Sequence, residues 1–182
     1  FFAVTTMCRM AHADLRGADE FVEYFQKNTN PRHRMELNYL ECSASWRALI
    51  LGDFETARTH SELAMALAEP LQNPYIFKMT LGIHTKVLIE IGDFHKARMA
   101  LDKMRHLSQN TRNNYFSVFY INYLDAYLLD RSGAPVAQIL KALQRSFSAA
   151  AKNQWSAMYA WQPSLITRLC VLALQHNIEP DY

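Results

Sequence analysis

Residues that break helices are scarce here: 182 residues include five glycines and six prolines. A many-turned β sandwich spends such residues at every loop, so their scarcity argues against one and for long helices. Cysteine is also sparse. Cys8, Cys42 and Cys170 are odd in number, far apart and without C-x-x-C spacing. That argues against a disulfide framework or a zinc site and for a reducing, cytoplasmic setting, with each thiol acting as a small core hydrophobe. Charge of one sign is lacking too, with 19 lysines and arginines against 17 aspartates and glutamates, a net +2. Nucleic-acid binding needs a clustered basic face. The densest patch, Arg32-His33-Arg34 after Pro31, reads instead as a solvated helix start. No apolar run approaches the ~18–20 residues of a membrane span, and no signal-peptide pattern is visible. The chain opens mid-pattern on Phe1-Phe2-Ala3-Val4, as expected of a segment of a longer protein.

What is present is helix-forming and repetitive. Half the residues are apolar and a fifth charged, the balance of a folded domain. Leu, Ala, Met, Arg, Gln and Glu fill the windows between turn signals. One phrase occurs twice, 40 residues apart: Leu51-Gly52-Asp53-Phe54-Glu55-Thr56-Ala57-Arg58 and Ile91-Gly92-Asp93-Phe94-His95-Lys96-Ala97-Arg98. A degraded copy, Ser132-Gly133-Ala134-Pro135-Val136-Ala137, puts an alanine 40 residues after Ala97. Self-similarity at such a period marks a stacked-repeat protein, whose usual task is to bind.

Turn signals divide the chain into helix hairpins at about 1–30, 33–69, 75–108 and 114–151, with a tail at 154–182. Arg16-Gly17 is expected to break the first hairpin. At Gly52-Asp53 and Gly92-Asp93, glycine can take the left-handed cap and aspartate can cap the next helix. Thr111 is a candidate cap in the loop 109–113. Pro163 suits the start of a last helix. Ala57, Ala97 and Ala137 are expected where the two helices of a hairpin approach closely, with Phe54 and Phe94 plugging the junctions. The fold expected is therefore all-α: one domain of about four antiparallel hairpins and a C-terminal helical unit.

Gly-Asp-Phe-x-x-Ala at a helix–helix turn resembles the tetratricopeptide pattern, in which Ala64 would be the second small residue. The period is 40 rather than the usual ~34, with the excess in loops such as Glu69–Pro74. The tail from Trp161-Gln162-Pro163 to Ile178-Glu179-Pro180-Asp181-Tyr182 resembles the end of the helical-repeat region in MalT-like, ATP-dependent bacterial transcription regulators with LuxR-type DNA-binding domains. Asn177 stands where that family favours glycine, and asparagine also tolerates a left-handed cap. The resemblance implies a tetratricopeptide-like superhelix that receives a small inducer or a protein partner. It further implies that the signal passes to an NTPase module, which would bind ATP, and to a DNA-binding module, both outside this segment.

No phosphate-binding loop, HExxH or GxSxG is present. The seven histidines never fall at metal-ligand spacing on one face, and His84 reads as structural. The chain is therefore expected not to be an enzyme, and to hold no cofactor or metal. Binding is the better expectation. The tetratricopeptide resemblance implies a concave face formed by the first helix of each hairpin, with Tyr39, Trp46, Met79, Lys86, Glu90, Phe119, Asn122 and Asp130 on it. Such a mix of aromatics and sparse polar groups suits a small organic ligand or a peptide, and a scaffold for peptide segments is the alternative to a regulator. These same aromatics could instead be inter-repeat core. Tyr115, Phe116, Phe119, Tyr120, Tyr123 and Tyr127, with Trp155, Tyr159 and Trp161, would be either a partner surface, including self-association, or a core covered by the tail.

Overall fold

A computed structural model of the chain describes residues 2–12, 14–30, 32–109, 115–154 and 160–182, leaving aside the side chains of residues 2–4, 7, 11, 21, 115, 116 and 164. These residues form helices and turns, with no strand among them. The elements are α1 (Phe2–Ala11), α2 (Leu15–Asn28), α3 (Arg34–Leu51), α4 (Phe54–Ala68) with a 3-10 turn at Glu69–Leu71, α5 (Pro74–Glu90), α6 (Phe94–Ser108), α7 (Tyr115–Arg131), α8 (Val136–Lys152) and α9 (Pro163–Gln175). They fall into two compact units, Phe1–Val87 and Leu88–Tyr182, with the boundary inside α5. In the first unit α3 packs on α4, and α1 packs on α2 and α3. In the second, α7 packs on α8 and α6, and α9 lies against both α7 and α8.

One turn geometry recurs at four places. Gly52 and Gly92 take φ 75° and 80°, which a side chain would strain, and the N–H that follows each returns to a carbonyl five residues back. Asp53 N–H donates to Ala48 O at 3.0 Å and Asp93 N–H to Leu88 O at 2.9 Å. Ala134 N–H to Leu129 O and Ile178 N–H to Ala173 O, both 2.9 Å, repeat the pattern with Gly133 and Asn177 as the left-handed residues. Asp53 and Asp93 then cap the next helix, accepting from the N–H of Thr56 at 3.1 Å and of Lys96 at 3.2 Å. The Thr56 and Lys96 side chains, and then these backbone bonds, hold both carboxyls below the ordinary range.

The second helix of each hairpin buries one face in a shared register. In α4 this face is Ala57, Ser61, Ala64 and Ala68, and in α6 it includes Ala97, Leu101, Met104 and Ser108. The same intervals recur in α8, but on Ile139, Leu143, Ser146 and Ala150. The helices are capped at Asp53, Asp93 and Pro135, so the ruler is 40 residues and then 42. Ala137 is consequently exposed, and Ile139 takes the place expected for it. The close approach expected at Ala57 is present: Ser45 Oγ on α3 donates to the Ala57 carbonyl at 2.9 Å. Phe54 and Phe94 are half-buried beside their turns.

The break in the first hairpin falls between Ala11 and Leu15, not at Arg16-Gly17. Asp14 caps α2 by accepting from Gly17 N–H at 2.9 Å and meets Arg9 Nη1 at 2.6 Å. A Cβ at Gly17 would stand 2.1 Å from that guanidinium, so the glycine serves close packing inside a helix. Cys42 is buried as expected, whereas Cys8 is exposed and Cys170 half-buried; all three are free thiols. Thr111 and residues 155–159 of the tail lie outside the described residues.

Candidate functional site

The eight residues expected on one concave face divide between core and surface. Within the first unit, Trp46 is 2% and Lys86 0% exposed, while Tyr39 and Met79 are half-buried. Within the second, Phe119 is core, and Glu90, Asn122 and Asp130 are half-buried. Trp46, Lys86 and Phe119 are therefore packing residues and offer no accessible face. The reason is local: α3, α5 and α7 bury residues on more than one side, as Asn38, Leu40, Cys42, Ser45, Trp46 and Leu49 show in α3. The aromatics of α7 resolve the same way, with Phe119, Tyr120, Tyr123 and Tyr127 all buried. The side chains of Tyr115 and Phe116, and all of Trp155 and Tyr159, lie outside the described residues, and Trp161 is half-buried.

In the first unit the buried side chains include a polar seam. Asn38 Nδ2 donates to the Ala64 carbonyl at 2.8 Å and to Thr80 Oγ1 at 3.0 Å, tying α3 to α4 and α5. Cys42 Sγ stands 3.6 Å from Thr80 Oγ1, and burial pushes its thiol up to about 12, which makes it a poor nucleophile. Ser61 Oγ meets His84 Nδ1 at 2.9 Å, so His84 is held as a structural residue. Burial pushes the Lys86 amine down to about 7. The bond between Asn38 and Thr80 was not legible beforehand, because the two share neither a motif nor a place on the 40-residue ruler.

Two polar constellations mark the second unit. Glu90 is 7% exposed at its side chain. Its Oε1 accepts from the Tyr127 hydroxyl and, at 2.9 Å, from Gln162 Nε2, while Arg131 Nη2 lies 3.2 Å from Oε2. Burial, then Glu90, raises the Tyr127 pKa, so the hydroxyl keeps its proton and donates. With three partners, Glu90 is a structural clasp that joins the last turn of α5 to α7 and to the segment before α9.

The other constellation lines an open cleft. The end of α7, the first turn of α8 and the outer side of α9 enclose about 680 Å³. Val136, Ile139, Pro163, Val171 and Leu172 supply its apolar walls, and Asp130 and Arg168 its charge. Arg168 Nη2 donates to Asp130 Oδ1 at 2.9 Å. Its Nε stands 2.7 Å from Oδ2 but out of line, so Oδ2 is buried without a hydrogen-bond partner. Of the eight expected residues Asp130 alone lines this cleft. Asn122 borders a separate hollow of about 260 Å³ with Arg105 and Ile121. Sequence reasoning missed Arg168 and the apolar walls. The walls come from two helix starts and one helix side that are distant in sequence, and no periodicity links them.

Among the described residues, no three His, Cys, Asp or Glu side chains are placed to hold a metal ion, and no helix is long and apolar enough to cross a membrane. Comparison with known proteins finds no matching family, no similar curated protein and no similar solved structure.

Proposed function

We propose that the chain is a binding module of tetratricopeptide-like repeats, the signal-receiving segment of a MalT-like bacterial transcription regulator, and that the cleft between α7, α8 and α9 takes the signal. The observation that carries the binding role is that cleft, with apolar walls and a single charge pair at one side. Such a composition fits a ligand's body and orients it with few polar contacts. Support for the regulator comes from the tail after Trp161, whose Asn177 takes the left-handed conformation (φ 55°) suited to the family's glycine position. Occupancy would bias a two-state equilibrium of the full-length protein through the ligand's differential affinity for the two states.

A thermal-shift screen of metabolites and short peptides on this chain tests the binding role. Val171→Arg fills the cleft from an exposed position and is expected to abolish the shift, while Tyr39→Ala on α3 leaves it intact. The reverse pattern moves the site to α3 and rejects the cleft; hits confined to peptides favour a scaffold. A phosphate-binding loop encoded upstream and a helix-turn-helix downstream in the same reading frame are expected of the regulator, and their absence rejects it.

A further inference from the structure

The side chain of Asp130 is 8% exposed, yet the Arg168 that covers it is 69% exposed. A carboxylate this buried is costly to leave under-bonded, and its Oδ2 has no hydrogen-bond partner. The arginine over it is long and mostly solvated, with Nη2 2.9 Å from Oδ1 and Nε 2.7 Å from Oδ2. Arg168 can therefore give way to another cation that keeps Asp130 paired. The neighbouring cation, Arg131, is engaged with Glu90. Val136 and Pro163 are the first residues of α8 and α9, so two helix N-termini border the cleft, where negative charge is favoured. They do not supply the missing donor: Pro163 has no N–H, and Oδ2 is still unbonded.

We propose that the cleft is a site for an amphipathic organic cation, whose ammonium or guanidinium N–H groups displace Arg168 and bond both oxygens of Asp130 while its hydrocarbon body lies against Val136, Ile139 and Leu172. Arg168 is then an internal stand-in for the ligand, occupying the anionic end of an otherwise empty apolar cleft. An anionic ligand is disfavoured in the same place, since it would meet Arg168 only beside the Asp130 carboxylate. The inference rests on the cleft being the receiving site and adds the chemistry of what it receives.

The test titrates n-hexylamine, n-hexanol and sodium hexanoate into the intact chain at pH 7, followed by methyl NMR shifts of Val136 and Val171. Hexylamine is expected to bind most tightly and hexanoate least. Arg168→Gln removes the competitor and is expected to tighten hexylamine by at least about threefold. Asp130→Asn, nearly isosteric, is expected to erase the preference for amine over alcohol, with the thermal midpoint confirming that the variant folds. Hexanoate binding as well as hexylamine, or Arg168→Gln weakening the amine, overturns the inference. If all three probes bind alike and Val171→Arg abolishes them, the cleft is still a binding site and only the cation chemistry is wrong. If none moves either methyl, both fail.

Discussion

The hairpins α3–α4 and α7–α8 close around different chemistry. Both turn through a left-handed glycine, and both bury positions of their second helix at the same intervals. At the α3–α4 pair the buried side chains of α3 include Asn38, Leu40, Ser45, Trp46 and Leu49, with the small residues Ala57, Ser61 and Ala64 of α4 opposite. At α7–α8 they include Phe119, Tyr123, Leu124, Leu143 and Phe147, and Ser146 Oγ donates to the Phe119 carbonyl at 2.9 Å. The first seam adds bonds from Asn38 and Ser45 to its apolar packing, and the second relies more on large aromatic and aliphatic side chains. The lesson is that a repeat's turn and register can persist while its core chemistry is exchanged. The turn needs only backbone conformation, and the core needs only that its volume be filled and its polar groups bonded.

Trp46→Ala should have the largest effect, since nothing in the small-residue face opposite can expand to fill the space. A loss of about 3–5 kcal/mol is expected in urea unfolding. A loss under about 1 kcal/mol would show that Trp46 is not core to the first seam and would restore the idea of an open face there.

Lys86 comes next and is read by pH. Its folded amine sits at about 7 against an ordinary 10.5. Between those values the unfolded chain holds a proton that the folded chain has lost, so stability rises with pH across that window. It falls as pH drops toward 7 and levels off below, where both states are protonated. Lys86→Met should abolish the rise and be more stable than the parent at pH 7. A urea midpoint of the parent that is flat from pH 7 to about 10 would show that Lys86 keeps its charge when folded.

The shifted register predicts opposite outcomes for two alanines that the 40-residue ruler treats as equals. Ala97→Leu overfills a buried contact and should cost about 1–3 kcal/mol, while Ala137→Leu on the exposed side of α8 should stay within about 0.5 kcal/mol. Equal costs would restore the 40-residue spacing. The smallest expected difference is at the turn the repeats share. Gly52→Ala should cost about 1–2 kcal/mol for its positive φ, and Gly133→Ala the same amount. A difference between the two would separate turns that the backbone makes alike.

The turns were the most legible part of the sequence. Gly52-Asp53 and Gly92-Asp93 declare themselves because a left-handed residue and an N-cap each have few acceptable side chains. Pro163 announced α9 on the same grounds, as a residue without an N–H at the first helical position. The third repeat was misread by two residues, because Ala134-Pro135 moves the cap and an alanine carries no mark of which face it occupies. The expected site fared unevenly. Asp130 lines a cleft at the end of α7, whereas Trp46, Lys86 and Phe119 are in the core. Helix periodicity assigns a side chain to a face and does not say whether another helix covers that face.

By itself the sequence determined the helices, their turns and the near-40-residue cycle, since each depends on the conformational limits of a few adjacent residues. Only the tertiary structure decided that Lys86 is buried, that Asn38 bonds Thr80, and that Asp130 shares a cleft with Arg168. Those pairings join residues 38 or more apart. They depend on which helix faces meet, and packing settles that by filling volume and bonding every buried polar group it can.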